Sequence, residues 1–126
     1  MVFGHPERLA QLSQMTHPAV GLRFAQCIQE LRDSGTACAI YDVPLLYENR
    51  LEAALDGVIV VWVPQELQLT RLCSRDNLTQ EQALARLSSQ ASLDSKRDKA
   101  TWVVDNSGSR DETREQIDQL LPQLRL

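Results

Sequence analysis

Cysteine, glycine, proline and aromatic residues are all sparse in these 126 residues: three Cys, five Gly, five Pro, and Phe, Trp and Tyr at 5% together. Cys27, Cys38 and Cys73 are odd in number and form no CxxC pair, which excludes a disulfide framework, and with only two histidines a zinc site has no ligand set. Each cysteine sits among apolar neighbours and is expected as a reduced, buried small hydrophobe. No apolar run approaches the eighteen or so residues that cross a bilayer, and Met1 to Glu7 lacks the basic and apolar regions of a signal peptide, so the expectation is a cytoplasmic protein with no membrane partner. Internal repeats, low-complexity tracts and an evident linker are also lacking. The formal charge of −4 argues against a general nucleic-acid binder.

The apolar content is 43% and the charged content 24%, which fits one folded domain over residues 1–126 and excludes disorder. That length buries one hydrophobic core and leaves little room for a separate substrate domain. The charge is uneven. Arg71, Arg75, Arg86, Lys96, Arg97 and Lys99 share a stretch with only Asp76, Glu81, Asp94 and Asp98, which leaves it at +2 and the remainder at −6. Such an island is either a place to meet an anion such as phosphate, through the paired donors of arginine, or a solvated helical face with ordinary ion pairs. Composition alone favours the second reading.

Apolar spacing predicts one amphipathic helix over Glu7 to Met15, with Leu9 and Leu12 on a face, and a second after His17-Pro18 carrying Val20, Phe24, Cys27, Ile28 and Leu31. Ser34-Gly35 is the stop signal, because glycine accepts the left-handed conformation that ends helices. Ala37 to Val43 and Val58 to Val63 read as strands, the second buried on both faces as in a parallel sheet, with a helix between them. Gln65 to Arg75 returns to helical spacing; Thr79 with Gln82 is a capping-box pattern opening another helix; Trp102 to Val104 is a third strand. The last helix begins near Asp111 and puts Ile117, Leu120, Leu121 and Leu124 on one stripe. This alternation predicts an α/β protein with parallel strands, whose ligands bind beyond the carboxyl ends at Asp42-Val43-Pro44, Val63-Pro64 and Asp105-Asn106. Three strands are few for a covered sheet, which hints that strands are missing.

His17-Pro18, the run Asp42 to Glu48 (DVPLLYE), Gln68-Leu69 with Arg71 and Arg75-Asp76, Thr79 through Arg86 to Gln90, and Val104 to Gly108 (VDNSG) resemble, in order and spacing, the dephospho-CoA kinase family over almost the whole chain. That resemblance implies a P-loop kinase fold: a parallel sheet with helices on both faces, a helical substrate-binding region here at about residues 1–35, and a basic lid at about 71–99. It implies ATP-dependent phosphorylation of the ribose 3′-hydroxyl of dephospho-CoA, with ATP and Mg2+ as cofactors. In the family the phosphate-loop strand lies between the strands that correspond to Ala37–Val43 and Val58–Val63. No GxxxxGK[ST] occurs here, since Gly4, Gly21, Gly35, Gly57 and Gly108 stand apart and no Gly-Lys-Ser/Thr exists. Met1-Val2-Phe3 matches an internal stretch of the family, so the expectation is a chain that corresponds to the C-terminal two-thirds of such an enzyme, lacks the first strands and is inactive alone. Uncovered sheet edges then favour self-association, or complementation by an N-terminal segment. The alternatives are a non-catalytic nucleotide- or CoA-binding module and a truncated fragment with no role of its own.

By the same resemblance Arg75 and Arg71, one helical turn apart, are the lid arginines that act in catalysis, with Arg75 also on the nucleotide; Arg86 and Lys96 are further lid candidates. As plain sequence each is a surface cation. The substrate-binding candidates are His17, Asp42, Pro44, Leu45, Leu46, Glu48 and Gln90. Asp42 is either a carboxylate that helps hold Mg2+ through water or a turn residue before Pro44. Leu45 and Leu46 are first of all packing residues, and Gln90 is a substrate contact or a polar cap. His17, biased by Pro18 toward extended backbone, aims into a cleft or hydrogen-bonds between helices. His5 matches no motif and is expected at the surface. Asn106 and Gly108 are the nucleotide-binding candidates, in a loop that meets adenine or merely connects strand to helix. Thr101-Trp102 departs from the family pattern, which has an acidic residue followed by a smaller or tyrosyl one.

Overall fold

The computed structural model describes residues 6–124, with the side chains of Pro6, Leu9, Ala10 and Ser13 outside that description, as are Met1-Val2-Phe3 and His5. The chain divides into two compact units, one ending at Ile40 and the other beginning at Tyr41.

The first unit is built on one helix, α1 (Pro6–Asp33), with Pro18 inside it. The break expected at His17-Pro18 does not occur, and His17 is helical rather than extended. Proline removes one i→i−4 bond and disfavours helical backbone before it, but both are biases. The flanking Leu, Gln, Met, Ala and Arg residues, good helix formers, carry the helix through. Phe24, Cys27, Ile28 and Leu31 form its half-buried stripe, as the spacing predicts, whereas Val20 is exposed. The helix stops where the glycine is. Gly35 has φ +70, the Thr36 N–H donates to Leu31 O at 3.0 Å and the Gly35 N–H to Arg32 O at 3.0 Å, the paired bonds of a Schellman ending.

The run 37–43 is not a strand. A strand needs a ladder partner, and among the described residues the sheet has two strands, neither of them paired to this run. Nor is there a helix between it and the next strand. Residues 44–50 form a turn closed by Leu51 N–H donating to Leu46 O at 3.1 Å, with Arg50 in the left-handed region at φ 55, and a 3-10 turn follows at Glu52–Ala54.

The sheet pairs β1 (Ile59–Trp62) in parallel with β2 (Trp102–Asp105), in the register Ile59 to Trp102 through Trp62 to Asp105. Between them run α2 (Gln65–Asp76), α3 (Gln80–Ser88) and the short α4 (Leu93–Arg97), which apolar spacing did not announce. After β2 comes α5 (Arg110–Leu120), then a 3-10 turn at Leu121–Leu124. The caps explain the boundaries: Asn77 ends α2 in the left-handed region, Thr79 and Gln82 form the expected capping box on α3, and Ser109 with Glu112 forms a second on α5.

Among the described residues Leu46, Val60, Val63, Ala83, Val104 and Leu120 are the buried apolar ones. The expectation that β1 is covered on both faces fails at Val61, 54% exposed. Register puts Val60 beside Val103 and Val61 beside Val104, so each face carries one buried valine and one exposed one, Val103 being 42% exposed. The cause is coverage: α4 packs on β1 and α5 on β2, each over one strand only. Of the predicted α5 stripe only Leu120 is buried, and all three cysteines are free and half-buried rather than buried.

Gly57 leads into β1 under the Trp102 indole, and a Cβ there would overlap the Trp102 ring carbons Cζ3 and Cη2. Gly57→Val should therefore destabilise the second unit by about 1–3 kcal/mol, as overpacking does. Urea unfolding followed by tryptophan fluorescence measures it; an unchanged midpoint would mean that the ring moves aside freely.

Candidate functional site

Lys96 is only 9% exposed, although lysine is rarely buried unless paired. Its Nζ lies 2.8 Å from Glu48 Oε1 and donates to Pro44 O at 3.1 Å. The same Glu48 oxygen accepts the Ala91 N–H at 3.0 Å. Burial pushes the Glu48 carboxyl up, but hydrogen bonds from Lys96, its own N–H and the Ala91 N–H, with the Lys96 charge, hold it below its ordinary value of 4.5. Pro44, Glu48, Lys96 and the residue after Gln90 are thus brought to one place, with two of the charges expected at the site engaged by each other. Beside them the Tyr47 hydroxyl and Glu52 Oε2 are buried without hydrogen-bond partners, and burial, then the Glu52 charge, raises the phenol.

The carboxyl ends of β1 and β2 are laced together by side chains. Arg71 reaches from α2 and donates from Nη1 to Asn106 O at 2.8 Å, while the Asn106 N–H donates to Trp62 O at 2.8 Å. Gln116 holds Asp105 by both backbone groups: Oε1 accepts its N–H and Nε2 donates to its carbonyl, each at 2.8 Å. The Thr113 hydroxyl lies 3.1 Å from Asn106 Oδ1 and 3.1 Å from Ser109 O. Asp105 Oδ1 accepts the Ser107 N–H at 2.8 Å, and hydrogen bonds from Ser107 hold this carboxyl below the usual range. Gly108 leaves room for the Glu112 carboxylate, whose Oε2 accepts the Ser109 N–H at 2.6 Å; a Cβ at 108 would overlap that carboxylate.

Every cation of the basic island has a partner within the chain. Arg75 grips Asp76 through Nε (2.7 Å to Oδ1) and Nη2 (3.2 Å to Oδ2), and Arg86 reaches the same carboxylate at 2.6 Å. Hydrogen bonding from Arg75 first, then both charges, hold Asp76 below the usual carboxylate range. Arg97 lies 4.7 Å from the centre of the Trp62 ring, whose Nε1 donates to Asp94 at 2.8 Å, and Lys99 lies 5.9 Å from that of Tyr47. Arg75 and Arg86 nevertheless stay open to solvent, with side chains 74% and 58% exposed.

A cavity of about 370 Å³ opens between the start of α2 and the α3–α4 connection, lined among others by Val63, Gln65, Gln68, Leu87, Gln90 and Leu93. Gln90 lies two residues beyond the end of α3 instead of closing it. Leu46 is core and Leu45 is partly exposed. Asp42 is exposed and precedes the 44–50 turn, not the end of a paired strand. His17 is exposed on α1 in the first unit. Among the described residues no group of three or more His, Cys, Asp or Glu could hold a metal ion.

Asp76 and Asp94 were named in the sequence only as acids of the basic stretch, Asp76 also within the Arg75-Asp76 motif, and Thr113 and Gln116 were not singled out. For Thr113 and Gln116 a signal existed: they sit three apart on the stripe of α5 that leads to buried Leu120, where polar residues interrupt the apolar pattern.

Replacing Glu48 by Gln should cost about 2 kcal/mol at neutral pH, less than for a fully buried pair because the carboxylate keeps some solvent. Its folded value is depressed, so this contribution is complete above about pH 4.5 and lost as pH falls through that lower value. Urea unfolding of both proteins from pH 7 to 3 should show the gap closing on acidification; a constant gap would separate the effect from ionisation.

A family model described as dephospho-CoA kinase matches residues 1–112. Dephospho-CoA kinase of Bacillus licheniformis is 45% identical over 121 residues, 96% of this chain and 60% of the relative; that of Anaeromyxobacter dehalogenans is 43% identical over 124 residues, 98% of the chain and 59% of the relative. The crystal structure of TT1252 from Thermus thermophilus superposes with TM-score 0.78 at 33% identity, over 98% of this chain and 63% of that one. Dephospho-CoA kinase of Campylobacter jejuni superposes with TM-score 0.63 at 29% identity, over 98% and 60%. The chain thus spans about three-fifths of the length of its relatives. The parallel β1–β2 pair and the helices between them are the shared α/β architecture, and by sequence and by fold the chain belongs to the dephospho-CoA kinase family.

Proposed function

We propose that this chain is the acceptor-side and lid portion of a cytoplasmic kinase that transfers the γ-phosphoryl group of ATP to the ribose 3′-hydroxyl of dephospho-CoA. The observation that carries the reading is the exposed Arg75 on α2, one turn beyond Arg71, which itself grips the Asn106 loop at the strand ends. Family membership supports ATP as the phosphoryl donor. Phosphoryl transfer asks a protein for position and for cations against developing charge. Arg75 supplies the cation, and Asn106 to Gly108 supply a loop pinned by Arg71, Thr113 and Gln116 against which a base can rest. Gln65, Gln68, Gln90 and Asp94 are among the residues lining a cavity that would suit a hydrogen-bonding part of the acceptor. His17 is assigned to the acceptor by the family motif. Asp42 would orient Mg2+ through water. Among the described residues no helix is long and apolar enough to cross a membrane.

The phosphate grip is what this sequence does not carry, as no GxxxxGK[ST] occurs in it. The 126 residues alone should therefore turn over dephospho-CoA at least about a thousandfold more slowly than the Bacillus licheniformis enzyme in the same coupled ADP-release assay. Joining to it the part of that relative outside the matched region should restore turnover. Normal turnover by the chain alone, or none from the joined protein, would sink the proposal. Saturable ATP or CoA binding without turnover in either form would instead favour a non-catalytic binding module.

The exposed valines of β1 and β2, with Ile40 at 76% exposure, leave apolar surface uncovered, and we infer self-association or pairing with a complementing segment. Sedimentation of the chain alone should show species larger than a monomer at micromolar concentration. A monomer with a cooperative thermal transition at ordinary mesophile temperature would refute it.

A further inference from the structure

We propose that Asp76 is a positioning residue, whose carboxylate holds one edge of the Arg75 guanidinium so that the other edge is presented to a polyphosphate. The inference rests on the reading of Arg75 as a nucleotide contact and adds what makes that contact directional. Arginine carries five N–H donors in a planar fork. Asp76 accepts from Nε at 2.7 Å and from Nη2 at 3.2 Å, which uses the side edge of the group and leaves the end-on donors, including both on Nη1, facing away from the carboxylate. That remaining end-on pair can meet two phosphate oxygens at once.

The carboxylate is itself fixed. Its backbone is the last residue of α2, immediately before the left-handed Asn77, and its Oδ2 accepts from Arg86 Nη1 at 2.6 Å. The Asp76 side chain is 24% exposed while that of Arg75 is 74% exposed, so the holder is sheltered and the held group faces solvent. Two arginines around one carboxylate keep a net charge of +1, so the cluster still attracts an anion. Arg86 keeps Asp76 paired when Arg75 turns its free edge to a ligand.

A different role for Asp76 predicts the opposite sign. If it only neutralised Arg75, removing its charge would tighten anion binding, because the cluster would rise from +1 to +2. If it positions Arg75, removal weakens binding despite the added charge. The probe is inorganic tripolyphosphate, titrated into the 126-residue chain by calorimetry and by 15N signals of the arginine Nε–H groups. Asp76→Asn should weaken binding about fivefold or more, Asp76→Glu should stay within about twofold of the parent, and Arg86→Gln should cost about twofold. The Arg75 Nε–H signal should be protected from exchange in the parent and exposed in Asp76→Asn.

Unchanged or tighter binding by Asp76→Asn overturns the proposal and leaves the nucleotide contact of Arg75 standing. Equal binding by Arg75→Gln and the parent, or no saturable binding by the parent, defeats the contact itself and the proposal with it. Should Asp76→Asn fail to fold, the parent decides: an Arg75 Nε–H that exchanges freely overturns the proposal, and one that is protected and shifts with tripolyphosphate supports it.

Discussion

The second unit turns on one charge pair in a sheltered place, Glu48 with Lys96. The pair joins the turn after Tyr41-Asp42 to α4, and α4 in turn is tied to β1 through Trp62, Asp94 and Arg97. Pairs of this kind are poor sources of net stability, since removing two ions from water costs about as much as their attraction returns. Their effect is on position. A lysine this deeply buried tolerates few arrangements, and here its donors are met by the Glu48 carboxylate and the Pro44 carbonyl together. The turn that carries the DVPLLYE motif is therefore held at a fixed distance from the segment after Gln90, because any other arrangement strands a charge.

A second constraint operates at the strand ends. A sheet of two short strands leaves backbone groups without ladder partners, and buried ones must find others. The chain meets this with side chains: the Gln116 amide answers both backbone groups of Asp105, and Arg71 answers the Asn106 carbonyl. These bonds order the loop after β2 without further strands. They also explain why the loop is built from small polar residues, as Ser107, Gly108 and Ser109 each make or admit a short local bond, the last through its capping box with Glu112.

The parts of this fold that could be read from sequence are those set by local chemistry. Thr79 with Gln82, the Gly35 stop and the strand runs Val58–Val63 and Trp102–Val104, seen as Ile59–Trp62 and Trp102–Asp105, all came from rules acting over a few residues. Pro18 misled because a proline's penalty is local while the helix on either side is long, and Ala37–Val43 misled because β propensity does not supply a ladder partner. The family resemblance named Glu48 and Lys96 separately but had no means of joining them, since their meeting depends on the crossover between the strands. Asp76 was visible as a letter in a motif, and only the coordinates show it between two arginines.

The same comparison alters how the basic island is to be understood. Counted from sequence, it offers six cations to an anion. In the folded chain Lys96 serves Glu48, Arg71 serves Asn106, Arg97 covers Trp62 and Lys99 lies over Tyr47, while Arg75 and Arg86 share the Asp76 carboxylate with their side chains open to solvent. Net charge thus overstates what a ligand would meet, and most of the island ties its own stretch of chain to the sheet and the turn. A kinase lid needs both properties, an anchored base and a free tip, because an arginine contributes to phosphoryl transfer only when its position is settled before the phosphate arrives. The division between cations tied to the sheet and the turn and those gathered on Asp76 is what would let the proposed lid meet that requirement.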